Sequence, residues 1–203
     1  MKINSISIQN DGYVHCKSGF YSAQDILSKC SCYTFLPGIN KLIGEIDSGN
    51  WAVSYLLSMY GYRPKDFILF EQPIATVNNE PVLLNKLSEY SCYMDNSYPL
   101  FSAKSSIKKS IIKGLKQSKS NYSYDDIKNL FGLDGDRIEH SLKGVGNEKF
   151  RAMAAIGLAY EKEIFCFPWL SKKQFENYHS NLTELLSILE KLEKIAIVPV
   201  GKE

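Results

Sequence analysis

The chain begins with apolar and polar positions in alternation, "KINSISIQ", which predicts a strand. A second strand is expected over "ILSKCSCYTFLPG", closed by the turn dipeptide Pro37-Gly38. "INKLIG" is a short apolar strand that feeds the loop "GEIDSGNW". "NWAVSYLLSMYG" then puts Val53, Leu56, Leu57 and Tyr60 at helical spacing. "DFILFEQPIA" and "EPVLLN" read as strands around a turn, and "EYSCYM" as another that runs into the loop "DNSYPLF". From residue 105 the period changes. "SSIKKSIIKGLKQ", "SYDDIKNLFGL" and "DRIEHSLKG" predict short helices, and Ser123 followed by Asp126 has the form of an N-cap with an acid in the first turn. "KFRAMAAIGLAYE" predicts an alanine-rich helix. "EIFCFPWL" has no polar break, the pattern of a strand buried on both faces, as in a parallel sheet. A last helix carries Leu185, Leu189 and Leu192 on one stripe, and "IAIVPV" is the last strand.

This order predicts an α/β fold, with residues 1–203 as one domain and a helical lobe inserted at about residues 105–144. A hydrophobic content of 44% with 12% aromatics fills a core and excludes a disordered chain. The net charge of +2, with lysines and acids interleaved, argues against a nucleic-acid partner. The one basic cluster, "SIKKSIIKGLKQSK", reads as a solvated helix face rather than an anion patch. Cys16, Cys30, Cys32, Cys92 and Cys166 contain no C-x-x-C and are an odd number; they read as reduced, mostly small core residues of a cytoplasmic protein. His15, His140 and His179 lack ligand spacing, so no metal site is expected. The longest apolar run falls far short of the ~20 residues that span a bilayer. Any membrane association is expected to be peripheral, through a partner.

Gly44 and Gly49 have four residues between them and lie between a strand and a helix, the spacing of a phosphate-cradling loop. Such a loop then needs a Lys for the β and γ phosphates and a hydroxyl for magnesium. Here those places hold Asn50 and Trp51, and Asp47 adds a negative charge beside Ser48. The glycines serve either the turn itself or a residual nucleotide site, and the turn is the preferred reading.

In motif order the chain resembles an ATP-binding cassette (ABC) transporter ATP-binding subunit, strongly degenerate. "LPGINKLIGEIDSGNWAVSYLL" resembles that family's strand, P-loop and first helix. "YSCYMDNSYPLF" resembles its Q-loop segment, "LKGVGNEKFRAMAAIGLA" its signature and following helix, "EIFCFPWLS" its Walker B strand and "KIAIVPVG" the strand before its switch histidine. The resemblance implies a P-loop NTPase-like, ABC ATPase-type core sheet with a small antiparallel β lobe and an inserted helical lobe. Residue by residue, Asp95 stands at the Q-loop glutamine. Val145, Asn147 and Glu148 replace the signature serine, second glycine and glutamine, while Gly146 and Arg151 are kept. Pro168 and Trp169 stand at the Walker B acids, and Val200 or Gly201 near the switch histidine. Phe20 or Tyr21 is nearest to an adenine-stacking position.

Phosphoryl transfer depends on positioning and charge stabilisation, and the side chains that supply them are replaced. The expectation is a pseudo-ATPase that acts by binding, with no catalytic residue, no required cofactor, and at most weak ATP or ADP binding. By resemblance its partner is the membrane subunit of a transporter, a competent ABC ATPase, or a second copy of itself. The alternative is a soluble scaffold or immunity protein with no transport role. An enzyme built on Glu148 with Lys149, or His140 with Asp136, is disfavoured, because such charges are ordinary on a surface. Tyr98 and Phe101 are expected to form the partner surface, with at least one exposed; the competing arrangement packs both inward between the lobes.

Overall fold

A computed structural model of the protein describes residues 2–18, 23–101 and 104–202. Its strands fall into three sheets. β1 (Ile6–Asn10), β4 (Ser31–Phe35), β7 (Ile74–Val77) and β8 (Glu80–Val82) form an antiparallel sheet in the order β4-β1-β7-β8. β2 (Val14–Ser18), β3 (Ala23–Leu27) and β6 (Phe67–Leu69) form a second antiparallel sheet, β3-β2-β6. β5 (Gly38–Ile43), β9 (Ser91–Tyr93), β10 (Ile164–Cys166) and β11 (Ile195–Val200) form an all-parallel sheet in the order β5-β11-β10-β9. Every residue of β9, β10 and β11 is buried, which is why their sequence shows no polar alternation.

Helix α1 (Asn50–Met59) is buried along its whole length because it lies between two layers: it contacts β9, β10 and β11 on one side and β2 and β3 on the other. Across the parallel sheet, α5 (Lys149–Ala159) covers the opposite face. The register pairs Cys92 with Phe165 and Tyr93 with Cys166, and neighbouring residues of a strand point to opposite faces. Gly157 of α5 lies against Phe165 and Cys92, whereas Trp51 of α1 reaches Tyr93. Residues 105–144 carry α3 (Ile107–Ser118), α4 (Tyr124–Leu130) and two 3-10 turns, as the change of period implies. Ser123 and Asp126 form the expected N-terminal cap of α4, each bonding the other's backbone N–H. The four-residue α2 (Leu87–Tyr90) leads directly into β9, and α6 (Lys172–Asn177) and α7 (His179–Lys191) connect β10 to β11.

Several strand assignments change. "ILSKCSCYTFLPG" is not one strand: the chain turns at Cys30, whose φ is 57°, so β3 and β4 enter different sheets. "DFILFEQPIA" is likewise divided between β6 and β7 in different sheets. Only three residues of "EPVLLN" are strand, and "EYSCYM" becomes one only at Ser91. Cys16, Cys92 and Cys166 are buried, but Cys30 and Cys32 are exposed, one in the turn and the other on the outer face of β4. The five cysteines are all free.

Candidate functional site

The loop between β5 and α1 is built by its glycines. A Cβ on Gly44 would stand 2.4 Å from Ser48 Oγ and 2.5 Å from Asn50 Nδ2, so the side chains of Ser48 and Asn50 pack directly over Gly44. Gly49 is the residue before α1 and has φ 84°, in the left-handed region. Both backbone groups of Gly44 are engaged: its N–H donates to Val200 O at 2.9 Å, and its carbonyl accepts from Trp169 Nε1 at 3.1 Å. The end of β5 is thus tied to the end of β11 and to the segment after β10.

The N–H groups at the start of α1 are also used. Ser48 donates to Glu45 O at 3.1 Å. Gly49 donates to Asp25 Oδ1 at 2.9 Å and Ala52 to Asp25 Oδ2 at 2.8 Å. Asp25 comes from β3, is 1% exposed, and also accepts from Ile26 N. Burial pushes the Asp25 carboxyl up from its ordinary value, while the N–H groups of Ala52, Gly49, Ile26 and Trp51 pull it back down. Gly49 carries no capping side chain of its own, so Asp25 caps the helix from another strand. Beside it, burial raises the Cys16 thiol well above its usual range, and the charges of Asp25 and Asp66 add to the effect.

Trp51, where the resemblance puts the magnesium hydroxyl, is 3% exposed. Its ring stacks on Tyr55 at 5.0 Å, and its Nε1 donates to the Tyr93 hydroxyl at 2.9 Å. Asn50 is buried and folded over Gly44, whereas Asp47 and Ser48 are exposed. Pro168 and Trp169 follow β10 as an irregular, half-buried segment, and the carbonyl of Phe167 accepts from Ser54 Oγ at 2.7 Å. Gly201 lies against Trp169, which brings the end of β11 to the same place. Three of the stations read from the sequence therefore converge: Gly44 to Trp51, Pro168 with Trp169, and Val200 with Gly201; Tyr93, at the end of β9, joins them through Trp51.

The other stations gather elsewhere. Asp95 is 7% exposed, accepts from Ser97 N at 2.7 Å and lies 3.7 Å from Lys149 Nζ, so it holds the loop after β9 against the first residue of α5. Val145 is buried, Gly146 has φ 51°, and Gly146–Glu148, with Asn147 in it, forms a 3-10 turn leading into α5. Glu148 accepts from Arg137 Nη1 at 2.6 Å, and Arg151 pairs with Glu184. Among the described residues no hydrogen bond or ion pair links residues 145–148 to residues 44–51. Phe20 and Tyr21 lie outside the described residues.

The expected exposure of Tyr98 or Phe101 is corrected. Tyr98 is 1% and Phe101 2% exposed, their rings stand 5.4 Å apart, and the Tyr98 hydroxyl donates to Ser91 O at 2.6 Å. The loop that carries them folds inward because it must cover β9 where the sheet ends.

Asp25 and Tyr93 are the site residues that sequence reading missed. Asp25 has a visible signal, an acid alternating with Ile26 and Leu27, but the ordinary apolar-in rule points Ile26 inward. In the structure Ile26 is 45% exposed and Asp25 faces the core. The arrangement offers a phosphate few free donors and no cation in the loop. Among the described residues no group of three or more His, Cys, Asp or Glu side chains is placed to hold a metal ion, and no helix is long and apolar enough to cross a membrane.

No family model matches the chain, and neither does any curated protein sequence. Solved structures do. A protein from Pyrococcus furiosus described as an ABC transporter (ATP-binding protein) superposes with a TM-score of 0.63 at 14% identity, over 98% of this chain and 92% of that one. An ATP-binding cassette solved as a dimer in a post-hydrolysis state, bound to ADP and Pi, gives 0.58 at 13% identity over 98% and 88%. A bacterial Atm1-family ABC exporter with ATP bound gives 0.57 at 12% identity; the match spans 99% of this chain and 35% of the exporter. With the parallel sheet, the antiparallel sheets and the helical insertion all in place, the chain has the fold of the ABC transporter ATP-binding proteins.

Proposed function

We propose that this chain is a non-hydrolysing member of the ABC-ATPase fold that acts by binding, as a subunit or regulator of an ABC-type transport system. The observation that carries the reading is the pair of indoles at the P-loop. Trp51 fills the place of the magnesium-binding hydroxyl and is locked to Tyr93; Trp169 stands at a Walker B acid and is bonded to Gly44 O. Neither ring supplies a charge, a metal ligand or a base, and Asn50 supplies no cation. Removing one transition-state donor costs about 10²–10³ in rate, and here lysine, hydroxyl and acids are replaced together. No nucleotide is needed for this role. The partner is a membrane subunit, a competent ABC ATPase or a second copy. The solved dimer and the exporter above are the models for such pairing.

One observation favours a second reading, a soluble scaffold or immunity protein without a transport role. The aromatics at the junction that in the resembling family faces the membrane subunit are buried here. Fractionation of the protein from its own cells separates the two. Recovery with membranes through a membrane protein supports a transport role, and recovery in a soluble complex supports the scaffold.

The non-hydrolysing reading is tested by phosphate release from ATP and magnesium, using the wild type and the triple variant Asp47→Gly, Asn50→Lys, Trp51→Ser. Neither is expected to turn over, because the triple variant still has Pro168 and Trp169. Turnover by the wild type that Gly49→Asp abolishes would sink the reading. Turnover by the triple variant alone would show that the segment after β10 does not decide the matter.

A further inference from the structure

The start of α1 points several backbone N–H groups and a helix dipole toward a single spot, the physical basis of phosphate binding. Buried backbone donors find partners, and those partners lie within the chain. Ser48 N–H goes to Glu45 O, and Gly49 and Ala52 N–H go to the two oxygens of Asp25. Both carboxyl oxygens act as acceptors, the pattern of an ionised group. Asp25 is held there by its strand: its register partner is Cys16 of β2, whose Sγ reaches Ala52 O at 3.8 Å. It is 1% exposed. A carboxylate that aligns two oxygens with the first turn of a helix, from a strand that otherwise exposes Ile26, does more than fill space.

Building on the non-hydrolysing reading, we propose that Asp25 is a tethered anion that occupies the donors at the start of α1, so that the loop is closed to phosphate by competition within the chain. Loss of the lysine lowers the attraction for a phosphate; Asp25 takes the seat. Asp47, exposed in the same loop, repels what approaches from outside. The fold thus keeps the phosphate-binding geometry and uses it as an internal clasp between β3 and α1. Replacing the clasp with a small neutral side chain frees the amides for an inorganic anion.

The experiment titrates inorganic pyrophosphate, at constant ionic strength, into the wild type, Asp47→Gly, and Asp25→Ser combined with Asp47→Gly. Affinity is read from thermal shift and from the amide resonances of Gly49 and Ala52. Two charge-assisted bonds are released, so the double variant is expected to bind at least roughly tenfold more tightly than Asp47→Gly alone. In the wild type the Gly49 and Ala52 resonances are expected to stay still. A folded double variant that binds no more tightly than Asp47→Gly, or wild-type resonances that move with pyrophosphate, overturns the proposal. If the serine variant does not fold, Asp25→Asn in the Asp47→Gly background takes its place: a gain over Asp47→Gly supports the clasp, and no gain overturns it. ATP turnover by the wild type would instead sink the non-hydrolysing reading on which the clasp rests. Failure of the anion titration without turnover removes the clasp alone.

Discussion

The indole of Trp51 and the hydroxyl of Tyr93 meet at 2.9 Å in the core, joining the first turn of α1 to the end of β9. Tyr93 is fully buried and its ring meets Tyr55 edge-on at 5.2 Å, so Trp51, Tyr55 and Tyr93 form one aromatic cluster. Tyr93→Phe removes the acceptor and leaves the indole N–H buried, at an expected cost of about 1–3 kcal/mol. Trp51→Ser, which puts a hydroxyl back where the resembling family has one, empties most of the cluster and is expected to cost about 3–5 kcal/mol, the range for large aromatic truncations. Urea denaturation of the two single variants and the double tests the pair. Non-additive losses are the signature of a shared bond, and additive losses would mean that the two rings act separately.

Tyr98 and Phe101 belong to the core. Alanine at either is expected to cost about 3–5 kcal/mol and to lower the melting temperature sharply, and Tyr98→Phe about 1–3 kcal/mol through the orphaned Ser91 carbonyl. A double alanine variant that melts like the wild type would return these side chains to the surface.

Asp25 gives a pH dependence of known sign. Burial raises its folded value above that of an unfolded aspartate, in spite of the N–H groups that hold it. Its contribution to stability is therefore fully present below the unfolded value of about 3.9 and is lost as pH rises through the folded value. The stability of the wild type minus that of Asp25→Asn should be greatest at the acid end and shrink with rising pH. Denaturation of both proteins across the acid range measures the difference and cancels the other carboxyls. A difference that grows with pH would mean that the hydrogen bonds from Ala52 and Gly49 outweigh desolvation.

What the sequence made legible follows from how each element is buried. "EIFCF" and "IAIVPV" announce a parallel sheet because both of their faces are covered, and α1 shows its period even though no side of it meets solvent. The helical insertion declares itself through its caps. β2 was not legible: Val14 and Cys16 point inward, but His15 and Lys17 between them read as a polar loop. Asp25 was not legible as a site residue because its partners, Gly49 and Ala52, lie in another element. Trp51 could be placed near the absent magnesium ligand, yet the hydroxyl that locks it is on β9, and only the register of the parallel sheet brings Tyr93 there. The bury-or-expose choice at Tyr98 and Phe101 had no local signal either, since aromatics in a Pro-containing loop suit both outcomes.

The order of strands in the parallel sheet also decides when the fold can form. β11 lies between β5 and β10, pairs with β5 along six residues, and is the last described strand in the chain. At roughly 5–20 residues per second, about 8–30 s of translation separate β5 from the strand that joins it to the others. During that interval β5 and β10 have no hydrogen-bonded neighbour between them, and α1 has only part of its two-sided cover. Pairings this distant in sequence are slow to close. Until β11 emerges, the growing chain therefore lacks the strand that joins β5 to β10, and shelter from aggregation matters most in that interval.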